Sequence, residues 1–468
     1  MLIYNTQTRK KEEFIPITEG KVGIYACGPT VYNYFHIGNA RAFIFFDVVR
    51  RYFEYKGYAV TYVQNITDID DKIIAQANEE NIGFELVADK YTRAFLEDTK
   101  ALGIKPPTYQ PKATAVMDDI ITFIAELEKK GYAYQVNGNV YFSTENLPSY
   151  GSLSGKKTNE QLVGARVAEN PDKRHPADFT LWKKSKVGEP VWDSPWGKGR
   201  PGWHTECVVM SKKYLGDTFD LHCGGIDLIF PHHENELAQA IAYSGKPLAN
   251  YWMHNGFLNI DGEKMSKSLK NFFTARDILA DYDADAIRFF FLSKHYRSPI
   301  DFSRELMQEA QHAVANFYGS LSEINYLDNK GNPLPSTCET AADLQKLEQE
   351  FSAAMDDDFN TAKAISILFE LNRKVKNPAS SLDERIASAV KMVELGSVLG
   401  FFQNLETKLT QFLPDLSKDL IELILSYRQE ARNNKNWALS DKIRNDLASL
   451  GVEIKDTPEG VKWNIKEP

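Results

Sequence analysis

The sequence predicts an α/β protein in which a parallel-sheet domain with an inserted subdomain is followed by an α-helical bundle and a small C-terminal appendage. Three patterns support this: a strand–helix–strand run near the N-terminus, a Gly-, Pro- and Lys-rich stretch with little periodicity that ends at about residue 200, and helical periodicity that dominates after about residue 303. At 468 residues the chain exceeds one ordinary core, so about two to four domains are expected.

The N-terminal run defines the predicted sheet. The apolar segment 22–27 is predicted to be a buried strand, residues 37–54 a helix, and the β-branched segment 58–63 the next strand. This order makes the two strands parallel, and such sheets bind ligands at the carboxyl ends of their strands. Three residues of interest fall at that edge: Cys27, His36 and Thr67.

Later segments extend this plan. The sheet is predicted to resume at residues 219–223 and 251–254, with a helix that includes Glu234 between them. Hairpins are predicted over three stretches: residues 132–142 and 258–264, with Asn-Gly and Asp-Gly turns, and residues 452–463.

Composition and charge exclude several classes of protein. No window approaches the roughly 18 apolar residues of a membrane span, and the N-terminus lacks the apolar core of a signal peptide. Four scattered cysteines are too few for a disulfide framework, which predicts a cytoplasmic protein. A net charge of −9 argues against a generic nucleic-acid coat, although residues 151–213 carry twelve Lys or Arg against seven Asp or Glu. That stretch is either a solvated surface or a contact for a phosphate backbone.

Two separated motifs predict an ATP site. His36-Ile37-Gly38-Asn39 opens a helix, where free N–H groups and the helix dipole favour phosphate; Gly38 permits close approach, and His36 and Asn39 can donate hydrogen bonds. Alone, this tetrapeptide could equally be a helix cap.

Its partner is the segment Lys264-Met265-Ser266-Lys267-Ser268, which brings two ammonium groups onto one loop. Lys267 suits the leaving pyrophosphate, where charge grows in the transition state, and Lys264 suits holding the loop closed. A solvated Lys/Ser loop is the alternative for this segment alone. Together the two motifs predict ATP binding and attack at the α-phosphorus.

A second constellation predicts a metal site. His232 and Glu236 are four residues apart and so share one face of a helix predicted to begin at Pro231, while Cys27 closes the first strand and Cys207 lies far along the chain. Two thiolates, an imidazole and a carboxylate suit zinc. The alternatives are core cysteines and a capped helix, with His233 as the rival of His232.

A glycine pair marks a further ligand-binding candidate. Gly224 and Gly225 follow a predicted strand and allow close backbone approach, and Asp227 could bind a ribose hydroxyl or an ammonium group. A tight turn with a helix cap explains the same residues.

Taken together, these motifs resemble those of the class I aminoacyl-tRNA synthetases, and within that class the cysteinyl-tRNA synthetase family. The resemblance covers almost the whole chain and rests on these blocks: 27–32 (CGPTVY), 65–72 (NITDIDDK), 202–207 (GWHTEC), 230–236 (FPHHENE), 264–268 (KMSKS) and the tail residues 431–444 and 456–458. One departure is visible, since the family's His-Ile-Gly-His is His-Ile-Gly-Asn here, so Asn39 lacks the option of positive charge.

The resemblance implies a cysteine–tRNA ligase that forms cysteinyl adenylate from ATP and cysteine and passes cysteine to tRNA(Cys). It implies one Zn²⁺ per chain on Cys27, Cys207, His232 and Glu236 that senses the substrate thiol, and Mg²⁺ with ATP. Trp203 would wall the thiol pocket, and Thr67 and Asp227 would contact the amino-acid backbone. A monomer without membrane contact is expected.

The same resemblance divides the chain into six parts. These are a Rossmann-like catalytic domain (1–118 and 203–257), an inserted acceptor-end-binding subdomain (119–202), the KMSKS loop with stem-contact helices (258–328), a helical anticodon-binding domain (340–410) and a small anticodon-contacting domain (415–468). In the tail, the aromatic and basic candidates for tRNA contact, which could equally be core residues and solvated charges, are Trp437, Trp463, Arg432, Lys435 and Arg444.

Three other functions fit parts of the pattern. A paralogous ligase that passes cysteine to an amino-sugar would not need the long helical region after about residue 340. A nucleotidyltransferase with the same phosphate motifs would lack the metal residues and the tail. A non-catalytic tRNA-binding module would not need both phosphate-binding motifs.

Overall fold

The computed structural model divides into two compact units, residues 1–406 and 407–468. The residues it describes are 1–155, 170–260, 263–264, 273–328, 331–338, 341–412, 417–450, 452–457 and 460–465. Within this part of the chain, no helix is both long and apolar enough to cross a membrane.

Strands and helices alternate in the first half of the chain, and helices dominate the second. The strands are β1 (Leu2–Asn5), β2 (Lys10–Glu13), β3 (Lys21–Ala26), β4 (Ala59–Gln64), β5 (Ala133–Val136), β6 (Asn139–Phe142), β7 (Phe179–Lys184), β8 (Gly199–Pro201), β9 (Phe219–Gly225), β10 (Ala249–Asn255), β11 (Leu258–Ile260), β12 (Glu263–Lys264), β13 (Ile300–Phe302), β14 (Val452–Thr457) and β15 (Gly460–Ile465). The helices are α1 (Ile37–Tyr55), α2 (Asp71–Glu80), α3 (Phe84–Ala101), α4 (Met117–Lys129), α5 (Trp203–Leu215), α6 (Glu234–Ser244), α7 (Ala275–Asp281), α8 (Ala284–Leu292), α9 (Arg304–Glu323), α10 (Ala342–Asp356), α11 (Thr361–Val375), α12 (Leu382–Val398), α13 (Leu405–Phe412), α14 (Ser417–Asn433) and α15 (Trp437–Ser449).

The central sheet is parallel, as the sequence predicts. Its strand order is β10-β9-β3-β4, and every neighbouring pair runs in the same direction. Helix α1 connects β3 to β4 and buries an apolar face that includes Phe46, Val49 and Phe53. The carboxyl ends of β3 and β9 therefore lie side by side, and Cys27 follows one while Gly224 and Gly225 end the other.

The inserted subdomain contains its own antiparallel sheet, in the order β5-β6-β7-β8. The predicted hairpin is present, with Asn137 and Gly138 both at positive φ in the turn between β5 and β6. Because β4 precedes this sheet and β9 follows it, the parallel sheet is interrupted in sequence as predicted.

A close backbone approach joins the ends of β3 and β4. A Cβ atom on Gly28 would lie 1.7 Å from the carbonyl oxygen of Asn65, so only glycine fits there. The Gly28 N–H donates to Oδ1 of Asn65 at 2.8 Å, and the Val31 N–H donates to the Thr67 carbonyl at 3.2 Å. These contacts bring Cys27 and Thr67 to one edge of the sheet.

The C-terminal unit has a small core of its own. Its strands β14 and β15 form the predicted hairpin, in which Ile454 pairs with Trp463. Ile421, Leu425 and Leu447 are buried against this hairpin, and Trp463 packs on the same cluster. Trp437, by contrast, leaves 58% of its surface exposed at the start of α15.

Candidate metal and nucleotide site

Four side chains that the sequence nominates as metal ligands meet at the carboxyl edge of the parallel sheet. In this set, called the two-cysteine set, one ligand atom from each of Cys27, Cys207, His232 and Glu236 lies within 4.8 Å of all the others. Cys207, His232 and Glu236 are buried, and Cys27 is partly buried. Nε2 of His232 lies 2.9 Å from Oε1 of Glu236, and Sγ of Cys27 lies 3.8 Å from the same oxygen.

The backbone before α6 differs from the predicted helix. Helix α6 begins at Glu234 and not at Pro231, because residues 229–233 form a π-helical turn in which Phe230 is extended (φ −138°, ψ 130°). Helical geometry nevertheless holds from His232 onward. His232 and Glu236 therefore share a face, as their spacing predicts.

A second, overlapping set of four side chains could also hold a metal ion. This two-histidine set keeps Cys27 and Glu236 and adds His222 and His233. Nε2 of His233 lies 3.2 Å from Sγ of Cys27, and Nε2 of His222 lies 2.7 Å from Oε2 of Glu236. The sequence names His233 only as a rival and gives no indication of His222, which is buried in β9.

Two more histidines line the same region. His254 joins Nδ1 of His233 through its Nε2 at 2.8 Å and reaches Oγ1 of Thr6 through its Nδ1 at 2.8 Å. Nδ1 of His204 lies 3.0 Å from Nδ1 of His232. Neither residue is assigned a role from the sequence, although His204 lies in the block 202–207, because each side chain becomes relevant only once β10 and α5 are placed beside α6.

The four members of the two-cysteine set have pKa values that are shifted in different directions. A hydrogen bond with Cys27 lowers the pKa of the Cys207 thiol to about 6, whereas burial and the Cys207 partner raise the pKa of Cys27 well above its usual value. Burial alone would raise the pKa of Glu236, but His222 and His232 lower it to about 2. Burial would likewise depress His232, but Glu236 and Cys207 raise its pKa to about 10. A bound metal would therefore displace protons from Cys27 and His232.

Three buried histidines near the site, His204, His233 and His254, have pKa values lowered in favour of the neutral ring. Burial, with the neighbouring His222, holds the pKa of His233 well below its usual value and lowers that of His254 to about 3. Burial and His232 lower the pKa of His204 as well. Neutral imidazoles of this kind suit second-layer partners that orient a metal ligand.

The residues expected around the substrate lie near these ligands. The Trp203 ring stacks on His232, with centroids 4.1 Å apart, and 37% of its surface is exposed. Thr67 is buried, and its Oγ1 accepts a hydrogen bond from Nδ2 of Asn65 at 3.1 Å.

The two glycines that end β9 have structural roles. A Cβ atom on Gly224 would lie 2.6 Å from Cε1 of His233, and one on Gly225 would lie 2.4 Å from Oδ1 of Asp227. Gly224 therefore makes room for His233, a reason for glycine that the sequence does not reveal. Asp227 is exposed beside this turn.

The predicted phosphate motif at the start of α1 is also a helix cap. Nδ1 of His36 accepts a hydrogen bond from the backbone N–H of Asn39 at 3.2 Å, which leaves Nε2 as the ring nitrogen able to donate. Gly38 lies in the first turn, where N–H groups lack helical acceptors.

The second phosphate motif is described only at its beginning. Lys264 ends β12, and its backbone pairs with Asn259 in β11, as the predicted hairpin requires. Residues 265–268, including Lys267, lie outside the described residues. Beyond them, His36 forms a backbone bridge with Thr274, so the chain after this motif returns to the start of α1.

Comparisons with known proteins agree with this arrangement. A model of the class I (C) tRNA synthetase catalytic domain matches residues 13–312, a DALR domain model matches residues 350–403, and a cysteinyl-tRNA ligase anticodon binding domain model matches residues 413–463. A cysteine–tRNA ligase from Clostridioides difficile (strain 630) is 51% identical over 468 residues, covering 99% of each chain.

Solved structures share the fold at low identity. Methionyl-tRNA synthetase of Mycobacterium tuberculosis with methionyl-adenylate has a TM-score of 0.57 at 14% identity, covering 86% of this chain and 94% of that one. The Agrobacterium radiobacter K84 LeuRS–tRNA–LeuAMS ternary complex has a TM-score of 0.62 at 11% identity, covering 86% of each chain.

Proposed function

The chain belongs to the cysteinyl-tRNA synthetase family and ligates cysteine to tRNA at the expense of ATP, and we propose that zinc held by the two-cysteine set selects the substrate. The observation that carries this proposal is the convergence of two thiols, one imidazole and one carboxylate within 4.8 Å at the carboxyl edge of the sheet. Sulfur, nitrogen and oxygen donors in this number are typical of zinc. The two-histidine set offers only one thiol.

Selection of cysteine over serine needs more than shape. The two amino acids differ by one atom, and an apolar pocket rejects such an isostere only weakly. Zinc binds a thiolate much more strongly than a neutral hydroxyl, which supplies the discrimination. Trp203 stacks on His232 and so holds that ligand while closing one side of the pocket.

Formation of the adenylate depends on charge neutralisation. The cysteine carboxylate attacks the α-phosphorus of ATP, and pyrophosphate leaves. Lys267 would neutralise the charge that grows on the pyrophosphate, Lys264 would hold the loop, and Mg²⁺ bound with ATP would supply further positive charge. His36, Gly38 and Asn39 would bind ATP at the N-terminus of α1. Gly224 and Gly225 would border the nucleotide. Thr67 and Asp227 would contact the amino-acid backbone.

Transfer to tRNA needs no covalent enzyme intermediate. A ribose hydroxyl at the tRNA 3′ end attacks the acyl carbon, and AMP leaves. The inserted subdomain would bind the acceptor end, and the two C-terminal domains, at the boundaries predicted above, would contact the anticodon. An anticodon-binding match over residues 413–463 favours tRNA over an amino-sugar as acceptor. We also propose that the enzyme is a cytoplasmic monomer.

Cysteine-dependent ATP–pyrophosphate exchange tests the zinc proposal. We expect exchange with serine to be at least roughly a thousandfold slower than with cysteine. A zinc-selective chelator should abolish the exchange with cysteine, and added Zn²⁺ should restore it while excess Mg²⁺ is present throughout. Equal rates with serine, or full activity after verified zinc removal, would refute zinc-based selection.

A further inference from the structure

A buried arginine next to the first phosphate motif makes an unusual set of contacts. Arg41 lies in the second turn of α1 and is 1% exposed. Its Nη1 donates to the carbonyl oxygens of Gly256 and Phe257, each at 2.7 Å. Its Nη2 donates to those of Ser298 at 2.5 Å and Tyr296 at 3.2 Å. One side chain therefore binds two chain segments that are distant in sequence.

These segments lead into a pair of neighbouring strands. Residues 256–257 immediately precede β11, residues 295–298 precede β13, and the two strands are parallel partners. The segments touch closely, since a Cβ atom on Gly256 would lie 2.6 Å from the Arg297 carbonyl oxygen. With the His295 carbonyl, 3.5 Å from Nη2, Arg41 contacts five carbonyls at this crowded junction. A planar guanidinium with five N–H donors can do this and an ammonium with three cannot.

Strand β11 leads, through β12, directly to the predicted loop lysines. Residues 273–275, where the described chain resumes after the lysine motif, also contact the start of α1. The Ile37 N–H donates to the Phe273 carbonyl at 3.0 Å, and the Ala275 N–H donates to the Phe35 carbonyl at 3.0 Å. The start of α1 thus contacts the chain both before residue 261 and after residue 272.

We propose that Arg41 is a positioning residue for adenylate formation, which sets β11 and β12 relative to the ATP-binding start of α1. Arg41 does not touch substrate, because it is enclosed by its carbonyl partners. The proposal rests on the proposed role of Lys267 in binding ATP phosphates. Loss of Arg41 contacts should therefore weaken the use of ATP and leave cysteine binding intact.

Arg288 provides a matched control. It is also 1% exposed, and it binds the same helix through an ion pair of 2.9 Å with Asp47. Its other hydrogen bonds go to the carbonyls of Leu102, Gly103 and Leu399, away from β11. Arg288→Lys thus perturbs a buried guanidinium of α8 that contacts α1, without changing the junction that Arg41 binds.

Steady-state pyrophosphate exchange of the full-length zinc enzyme tests the proposal. Arg41→Lys is expected to raise the KM for ATP at least fivefold and to leave the KM for cysteine within twofold, with Arg41→Met showing a larger effect if it folds. Arg288→Lys should leave both constants within twofold at a similar loss of thermal stability. An unchanged KM for ATP in Arg41→Lys, or an equal rise in Arg288→Lys, would overturn the proposal.

A parallel Lys267→Ala variant separates this inference from the proposed ATP site. Full exchange activity in Lys267→Ala would contradict the ATP-clamp role on which the inference rests. Loss of activity in Lys267→Ala together with unchanged ATP kinetics in Arg41→Lys would contradict the Arg41 proposal alone.

Discussion

Replacing Cys207 with alanine is expected to lower kcat/KM for cysteine-dependent pyrophosphate exchange at least roughly a thousandfold, equivalent to about 4 kcal/mol of transition-state stabilisation. The physical reason is the loss of one of two thiol ligands, and of the one whose pKa of about 6 makes it a thiolate at neutral pH. The remaining Cys27 thiol must lose a proton to bind the metal, because burial raises its pKa in the metal-free protein. Exchange kinetics combined with the zinc content of the purified variant provide the measurement.

Cys223→Ala is the matched control for this substitution. Cys223 is as buried as Cys207 and lies in β9, but it belongs to neither candidate metal set. It should keep one zinc per chain and exchange activity within threefold of the parent. If Cys207→Ala kept its zinc and its activity, the two-cysteine set would be wrong.

Glu236→Gln is expected to destabilise the metal-free protein by roughly 3–5 kcal/mol at pH 5.5, the usual cost of removing one partner from a buried ion pair. Glu236 is fully buried, and both its oxygens contact imidazoles, at 2.7 Å to His222 and 2.9 Å to His232. The amide would leave the His232 imidazolium without its carboxylate. Urea unfolding of both metal-free proteins measures the difference.

The pH dependence of this difference has a defined sign. The folded pKa of Glu236, about 2, is below its usual value, so its stabilisation is present above about pH 4.3 and is lost as pH falls toward 2. The folded pKa of His232, about 10, is above its usual value, so its stabilisation is present below about pH 6.5 and is lost as pH rises through 10. The difference in the free energy of unfolding between the parent and Glu236→Gln should therefore be largest between about pH 4.3 and about pH 6.5.

Glu206→Gln serves as the control for a buried carboxyl. Glu206 is 1% exposed, but burial, helped by Cys207 and Asp70, raises its pKa well above normal, so its environment disfavours the charged carboxylate. Glu206→Gln should therefore lower the free energy of unfolding much less than Glu236→Gln does. Equal costs for the two substitutions, or no pH dependence for Glu236→Gln, would contradict the charge assignment.

Local sequence patterns predicted much of the fold. Alternating strand and helix periodicities predicted β3, α1 and β4, and the Asn137-Gly138 turn predicted the β5–β6 hairpin, because these features depend on neighbours in sequence. The four-residue spacing of His232 and Glu236 predicted their common face for the same reason, even though a π-helical turn replaced the expected first turn of the helix.

The rest of the site depends on contacts between distant segments. His222 and His254 belong to buried strands and look like core residues in sequence, yet β9 and β10 bring them beside Glu236 and His233. The requirement for glycine at position 224 likewise arises only from the ring of His233. No local pattern encodes such proximity, which is why the second candidate metal set was not predicted.

Zinc K-edge X-ray absorption of the zinc-loaded enzyme tests the central claim most directly, because the two candidate sets differ in their number of sulfur atoms. The two-cysteine set predicts two sulfur ligands at about 2.3 Å, increasing to three when cysteine is added and staying at two with serine. A single sulfur ligand in the free enzyme would point to the two-histidine set. A sulfur count that does not change with cysteine would contradict selection of the substrate through its thiolate.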